Sequence, residues 1–160
     1  MNLKILSLFA AVLLVAACQQ SQPNAGANTG GGQTTTNTTG GGTGTANQQL
    51  ASAGNTIYFA FDRSDITAES RQVLLRQVAV LNQNPSWTVT IEGHCDERGT
   101  VEYNLGLGER RANATKQALI AAGVAAGRIN VISYGKERPV NPGHNEQAWA
   151  QNRRAVTVAN

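Results

Sequence analysis

Between Gly93 and Thr100 the chain reads Gly-His-Cys-Asp-Glu-Arg-Gly-Thr, a run of polar and reactive side chains bracketed by two glycines. Glycine at each end permits a sharp strand-to-helix turn, and polar groups held on such a turn can point at a ligand. His94, Cys95, Asp96 and His144 are all metal-ligand types, but adjacent positions on one turn and only 2 histidines in the chain fit no common zinc spacing. A hydrolase needs a poised carboxylate or a nucleophile paired with a base. Asp96 and Glu97 could be drafted, yet no arrangement of residues singles them out, and His94 reads as a loop-ordering hydrogen-bond partner rather than a catalyst. The helix expected after the turn places Asn104, Leu107, Gly108 and Arg111 on one face, because they are spaced by 3 or 4 residues. Asp96 and Arg111 could therefore frame one pocket.

The elements that must hold this pocket are legible from periodicity. Residues 57–61, Ile-Tyr-Phe-Ala-Phe, read as a strand, and Thr67 with Glu69 behind it marks a helix start. Val73, Leu74, Val78 and Leu81 carry its apolar stripe until Asn84-Pro85 stops it. Residues 87–91 alternate as a second strand, and 93–99 follow as a loop. A long helix spans 101–122, with Val101, Leu105, Gly108, Ala112, Thr115, Leu119 and Ala122 as its stripe and Gly123 as its C-cap. Gly106 and Gly108 inside it each cost about 1 kcal/mol relative to Ala, so something approaches closely there, with helix-on-sheet packing the plainest reason. A third strand covers 129–134, a loop 139–143, a short helix 146–151, and a last alternating strand 154–159. Trp87 and Trp149 read as packing residues at element ends, Arg110 and Arg154 as solvated charges. Strands and helices in turn give an α/β sandwich with helices packed on a sheet.

The ends of the chain differ from this. Residues 1–17 carry Lys4, then an apolar run ending in small residues, the pattern of a secretory signal too short to stay as a spanning helix. Residues 18–54 are almost entirely Gln, Asn, Thr, Gly, Ser and Ala, with Gly30-Gly31-Gly32 and Gly40-Gly41-Gly42 among them. Such a composition cannot offset the entropy of ordering itself, which predicts a disordered tether with a root-mean-square span of roughly 30–35 Å. The folded domain is then expected at 55–160. Loss of Lys4 leaves 12 of the 13 Lys and Arg against 10 Asp and Glu, so the mature chain is close to neutral and gives no reason to expect nucleic acid.

Two resemblances sharpen these readings. Leu14-Val15-Ala16-Ala17-Cys18 resembles the lipobox of bacterial lipoproteins, which implies cleavage before Cys18, diacylation of its thiol and acylation of the new amino group. Two or more acyl chains hold a protein stably where one does not. Only Cys95 would then remain, leaving no intramolecular disulfide. Tyr58-Phe59-Ala60-Phe61-Asp62, the stretch 91–100, Glu102-Tyr103-Asn104, residues 107–112, residues 132–137 and Asn152-Arg153-Arg154-Ala155-Val156 together resemble the OmpA-like domain.

That resemblance implies a mixed four-stranded sheet with helices packed on it, no enzymatic activity and no cofactor. It also implies non-covalent binding of the peptidoglycan stem peptide at its diaminopimelate residue, gripped by Asp96 and Arg111. Diaminopimelate presents ammonium and carboxylate groups, which a carboxylate beside a guanidinium fork can meet with charge-assisted bonds. Family matching adds Asp62, Asn104, Leu107 and Arg153 around the pocket, with loop backbone from Glu97 and Arg98. Lipid-anchored domains of this kind also bind the periplasmic propeller protein TolB of the Tol system through an overlapping surface. Gln19 behind Cys18 fits the pattern for export to the outer membrane, with the domain facing the periplasm. The family loop commonly carries Thr where this chain has Cys95. Strand alternation predicts that Cys95 turns away from His94 and Asp96 as a small buried filler.

Overall fold

A computed structural model describes residues 41–160; the expected signal, Cys18 and the tether up to residue 40 lie outside the described residues. In chain order the elements are α1 (Gly41–Ala53), β1 (Thr56–Tyr58), α2 (Ala68–Gln83), β2 (Val89–His94), α3 (Val101–Ala121), a 3-10 turn (Ala126–Arg128), β3 (Ile129–Gly135), α4 (Glu146–Asn152) and β4 (Arg154–Ala159). The sheet order is β1-β4-β2-β3. β2 and β3 run parallel, joined across by α3, while β4 runs antiparallel to both β1 and β2, so the four-stranded sheet is mixed as expected.

Capping explains where the two long helices begin. The Thr67 hydroxyl accepts from the Ser70 amide and the Thr100 hydroxyl from the Tyr103 amide, each satisfying a donor that has no partner inside its helix. Glu69 and Glu102 lie in the first turns, where the helix dipole favours negative charge. At the far end of α3, Gly123 takes φ +105°, the conformation that closes a helix. Leu74, Leu81, Val89, Ile91, Leu119 and Ile129 then bury together between the helices and one face of the sheet. β4 shows the alternation that half-burial demands: Ala155, Thr157 and Ala159 are buried, while Arg154, Val156 and Val158 are partly exposed.

Four expectations need correction. Residues 41–53, assigned to the tether, form α1. Ala46 and Leu50, four residues apart on one face, are 2% and 0% exposed in the core, and the Asn47 side chain pairs with both the amide and the carbonyl of Ala159. Two apolar anchors and one bidentate amide order a segment whose composition reads as coil, so residues 41–53 belong to the folded domain rather than to the tether. The first strand stops at Tyr58, because the chain turns over 60–63 with Asp62 at φ +57°. β2 runs on to His94, past the expected loop start at Gly93. Finally, the expected stripe of α3 fails only in its first turns: Val101 and Leu105 are 41% and 40% exposed, while Asn104, Leu107 and Arg111 are buried beside Gly108, Ala112, Thr115 and Leu119, which hold to it.

Candidate ligand-binding site

Three segments meet at one end of the sheet: the turn after β1, the loop from β2 to α3, and the first turns of α3. They enclose a cavity of about 160 Å³, room for one amino-acid-sized group. Leu107 and Cys95 give it apolar wall, Phe61 and Tyr103 flank it as exposed aromatics, and Asp62, Asp96 and Arg98 bring charge to it.

Asp96 is 4% exposed and every part of its carboxylate is engaged. Arg98 donates from its amide (3.2 Å) and Nε (3.1 Å) to Oδ1, and from Nη2 (2.6 Å) to Oδ2. Arg153 Nη1 adds a fourth bond to Oδ2 at 3.3 Å. Burial by itself would raise the pKa of this carboxyl, but the hydrogen bonds from Arg98 and Arg153 outweigh it and hold Asp96 below the usual carboxylate range, so it is ionised at neutral pH.

Arg98 lies in an aromatic slot, its guanidinium carbon 4.0 Å from the Phe61 ring centre and 4.2 Å from that of Trp149. Trp149 is thus more than a packing residue. Arg153 does not border the cavity: it sits behind Asp96, donating to the Phe59 carbonyl at 3.0 Å and to Glu146 at 2.7 Å. Glu97 is also away from the cavity. Its side chain accepts from Trp149 Nε1 at 2.8 Å and lies 2.7 Å from His144 Nδ1, bonds that lower its pKa, the one from Trp149 most. Its carbonyl accepts from Lys136.

Arg111 does border the cavity, but it is fully buried and donates to three backbone carbonyls: Nε to Arg63 (2.8 Å), Nη1 to His94 (2.9 Å) and Nη2 to Ala60 (3.1 Å). It bolts the turn after β1 to the end of β2. Burial lowers its pKa, with Asp96 and Cys95 opposing. Asn104 holds the loop in the same way, donating from Nδ2 to the carbonyls of Arg98 (2.8 Å) and Thr100 (3.0 Å). Asp62 lies on the rim and accepts from the Tyr103 hydroxyl.

The structure therefore brings Asp62, Asp96, Arg98, Asn104, Leu107 and Arg111 to one cavity and leaves Glu97 and Arg153 behind it. Cys95 is buried as expected, its thiol on the Asn104 carbonyl at 3.4 Å and its pKa raised by burial, but it faces the cavity. Alternation fails there because the β2 register breaks between Gly93 and His94. His94 is 1% exposed and neither ring nitrogen has a hydrogen-bond partner; what orders the loop is its carbonyl. Phe61 and Tyr103 went unassigned in the sequence, although a strand-end and a helix-start aromatic on either side of a polar turn are the available signal. Among the described residues no three His, Cys, Asp or Glu side chains cluster to hold a metal, and no helix is long and apolar enough to cross a membrane.

A mixed sheet with helices on one face, and a charged cavity formed by its end loops, define a ligand-binding α/β domain. The family model described as "OmpA family" matches residues 58–153, and the chain belongs to that family. It is 46% identical over 158 residues to the peptidoglycan-associated lipoprotein of Haemophilus influenzae, covering 98% of each chain. The protein of the same name from Pasteurella multocida is 42% identical over 153 residues, 96% of this chain and 95% of that one. The crystal structure of the peptidoglycan-associated lipoprotein from Burkholderia pseudomallei superposes with a TM-score of 0.66 at 42% identity, over 68% of this chain and 92% of that one. At 21% identity, the OmpA-like domain of FopA1 from Francisella tularensis shares the fold, with a TM-score of 0.57 over 65% of this chain and 70% of that one.

Proposed function

We propose that the cavity receives the peptidoglycan stem peptide at its diaminopimelate residue, and that the chain thereby ties the outer membrane to the cell wall. The observation that carries this reading is a buried, ionised carboxylate, Asp96, set among arginines in a cavity sized for one amino-acid end. Such a site favours a ligand bearing fixed charges of both signs and disfavours an apolar peptide. The names of the relatives, peptidoglycan-associated lipoproteins, point the same way. The chain is a binding protein, not an enzyme: Asp96 is saturated with donors, and the Cys95 thiol is pushed up in pKa, away from the reactive thiolate.

In this reading Cys18 carries the lipid anchor, the segment ahead of α1 spans the distance to the wall, and the domain faces the periplasm. The chain works within the Tol-Pal system, supporting outer-membrane integrity and cell division, with TolB and other Tol proteins competing for the cavity's rim. Exposed Phe61 and Tyr103 beside the cavity suit such a contact. Co-sedimentation with purified sacculi tests the site. The parent is expected to pellet and Asp96→Ala to stay in solution; equal pelleting would refute the assignment. Palmitate labelling tests the anchor, with incorporation expected in the parent and none in Cys18→Ala.

A further inference from the structure

We propose that the Arg98 guanidinium is an exchangeable cation on Asp96, and that this exchange makes the cavity select a ligand end carrying an ammonium and a carboxylate together. The inference rests on the reading above, in which a diaminopimelate end enters the cavity.

A carboxylate offers about four lone-pair sites, and Asp96 accepts four hydrogen bonds, two on each oxygen. An incoming ammonium finds none vacant. One donor must leave, and the surroundings decide which. Arg153 has a side chain only 8% exposed, tied to the Phe59 carbonyl and to Glu146. The Arg98 amide is fixed by its loop, whose neighbouring carbonyl is held by Asn104. That leaves the Arg98 guanidinium, whose side chain is 31% exposed and which borders the cavity.

The slot between Phe61 and Trp149 explains why displacement is cheap. A planar cation sandwiched at 4.0 and 4.2 Å can slide along both rings and keep its cation–π contacts, whereas the hydrogen bonds to Asp96 are directional. Glu146, 3.8 Å away, steadies it on the outer side. Once off Asp96, the guanidinium stands at the cavity as a free fork for a carboxylate. A ligand with an ammonium alone would strip Arg98 of Asp96 and leave it only the longer pairing with Glu146. A carboxylate alone cannot replace Arg98 beside ionised Asp96. Only a zwitterionic end satisfies both groups, so Arg98 discriminates a diaminopimelate end from a lysine side chain.

The test uses the full chain in detergent with Trp87→Phe, leaving Trp149 as the one tryptophan, and two muramyl tripeptides ending in diaminopimelate or in lysine. Calorimetry measures binding and Trp149 emission reports the shift of the Arg98 charge along its indole. We expect the diaminopimelate peptide to bind and to change Trp149 emission, and Arg98→Gln to lower the preference for it over the lysine peptide by at least about tenfold, the size of one lost charged hydrogen bond. Arg98→Lys should recover part of the preference. Saturable binding with unchanged emission, or an undiminished preference in Arg98→Gln, would overturn the exchange while leaving the site intact. Failure of the parent to bind either peptide would overturn the reading of the site itself, and the exchange with it.

Discussion

Gly93 and Gly108 meet backbone to backbone: a Cβ on Gly93 would lie 1.9 Å from the Gly108 carbonyl oxygen, and one on Gly108 would lie 2.3 Å from Ser133 Oγ. This contact lets α3 settle directly on β2 and β3, which brings Asn104 and Arg111 within reach of the loop that carries Asp96. Gly108→Ala is expected to cost about 1–3 kcal/mol, the usual penalty for overpacking a tight interface, read from urea unfolding. A Cβ on Gly106 would meet only the flexible end of Arg110, with Nη1 at an ordinary contact distance of 3.5 Å. Gly106→Ala should therefore stabilise the domain by about 0.5–1 kcal/mol through helix propensity. Equal effects at the two positions would contradict the geometry.

The same pair shows where sequence reading succeeds and where it stops. Two glycines in one helix signalled a close approach, but only the sheet beneath distinguishes the one that needs it. The helix starts behind Thr67 and at Val101 and the β4 alternation are local signals and were legible. Burial of Arg111 was not, because a guanidinium that bonds three main-chain carbonyls looks in sequence like one that waits for a ligand. The α1 helix escaped for the opposite reason: its order comes from contacts made by Ala46, Asn47 and Leu50 with β4 and the core, not from its Gly- and Thr-rich composition.

Leu50 is fully buried, so Leu50→Ala should destabilise the domain by about 2–5 kcal/mol, as large-to-small core changes do. Unfolding midpoints of the two proteins measure this directly. A change near zero would mean that α1 is no part of the folded unit.

Arg111 is expected to matter for stability as much as for binding. Arg111→Lys keeps the charge but cannot reach the carbonyls of Ala60, Arg63 and His94 at once. Leaving buried carbonyls unpaired costs about 1–3 kcal/mol each, so the variant should unfold at clearly lower denaturant than the parent. Asp96→Asn retains a similar shape and should lose ligand binding with a smaller loss of stability.

His94 gives the fold an acid sensitivity. Burial, then the nearby Arg154 and Arg138, push its pKa down to about 4, and its ring lies against Tyr134 with Nε2 3.6 Å from Glu92. The unfolded chain takes up the proton near pH 6.5, whereas the folded chain resists it until about 4. Stability contributed by neutral His94 is thus complete above pH 6.5 and falls as the pH drops from there towards 4. Denaturation across that interval should show the slope in the parent and a flattened one in His94→Phe. A parent whose stability is constant between those pH values would refute the buried neutral state.

The most direct measurement of the central claim is competition on the sacculus. With the chain bound to purified sacculi, a soluble muramyl tripeptide ending in diaminopimelate should release it progressively into the supernatant, because one cavity serves both ligands. Retention of the full bound amount at saturating tripeptide would show that the cavity around Asp96 is not where the chain holds the wall.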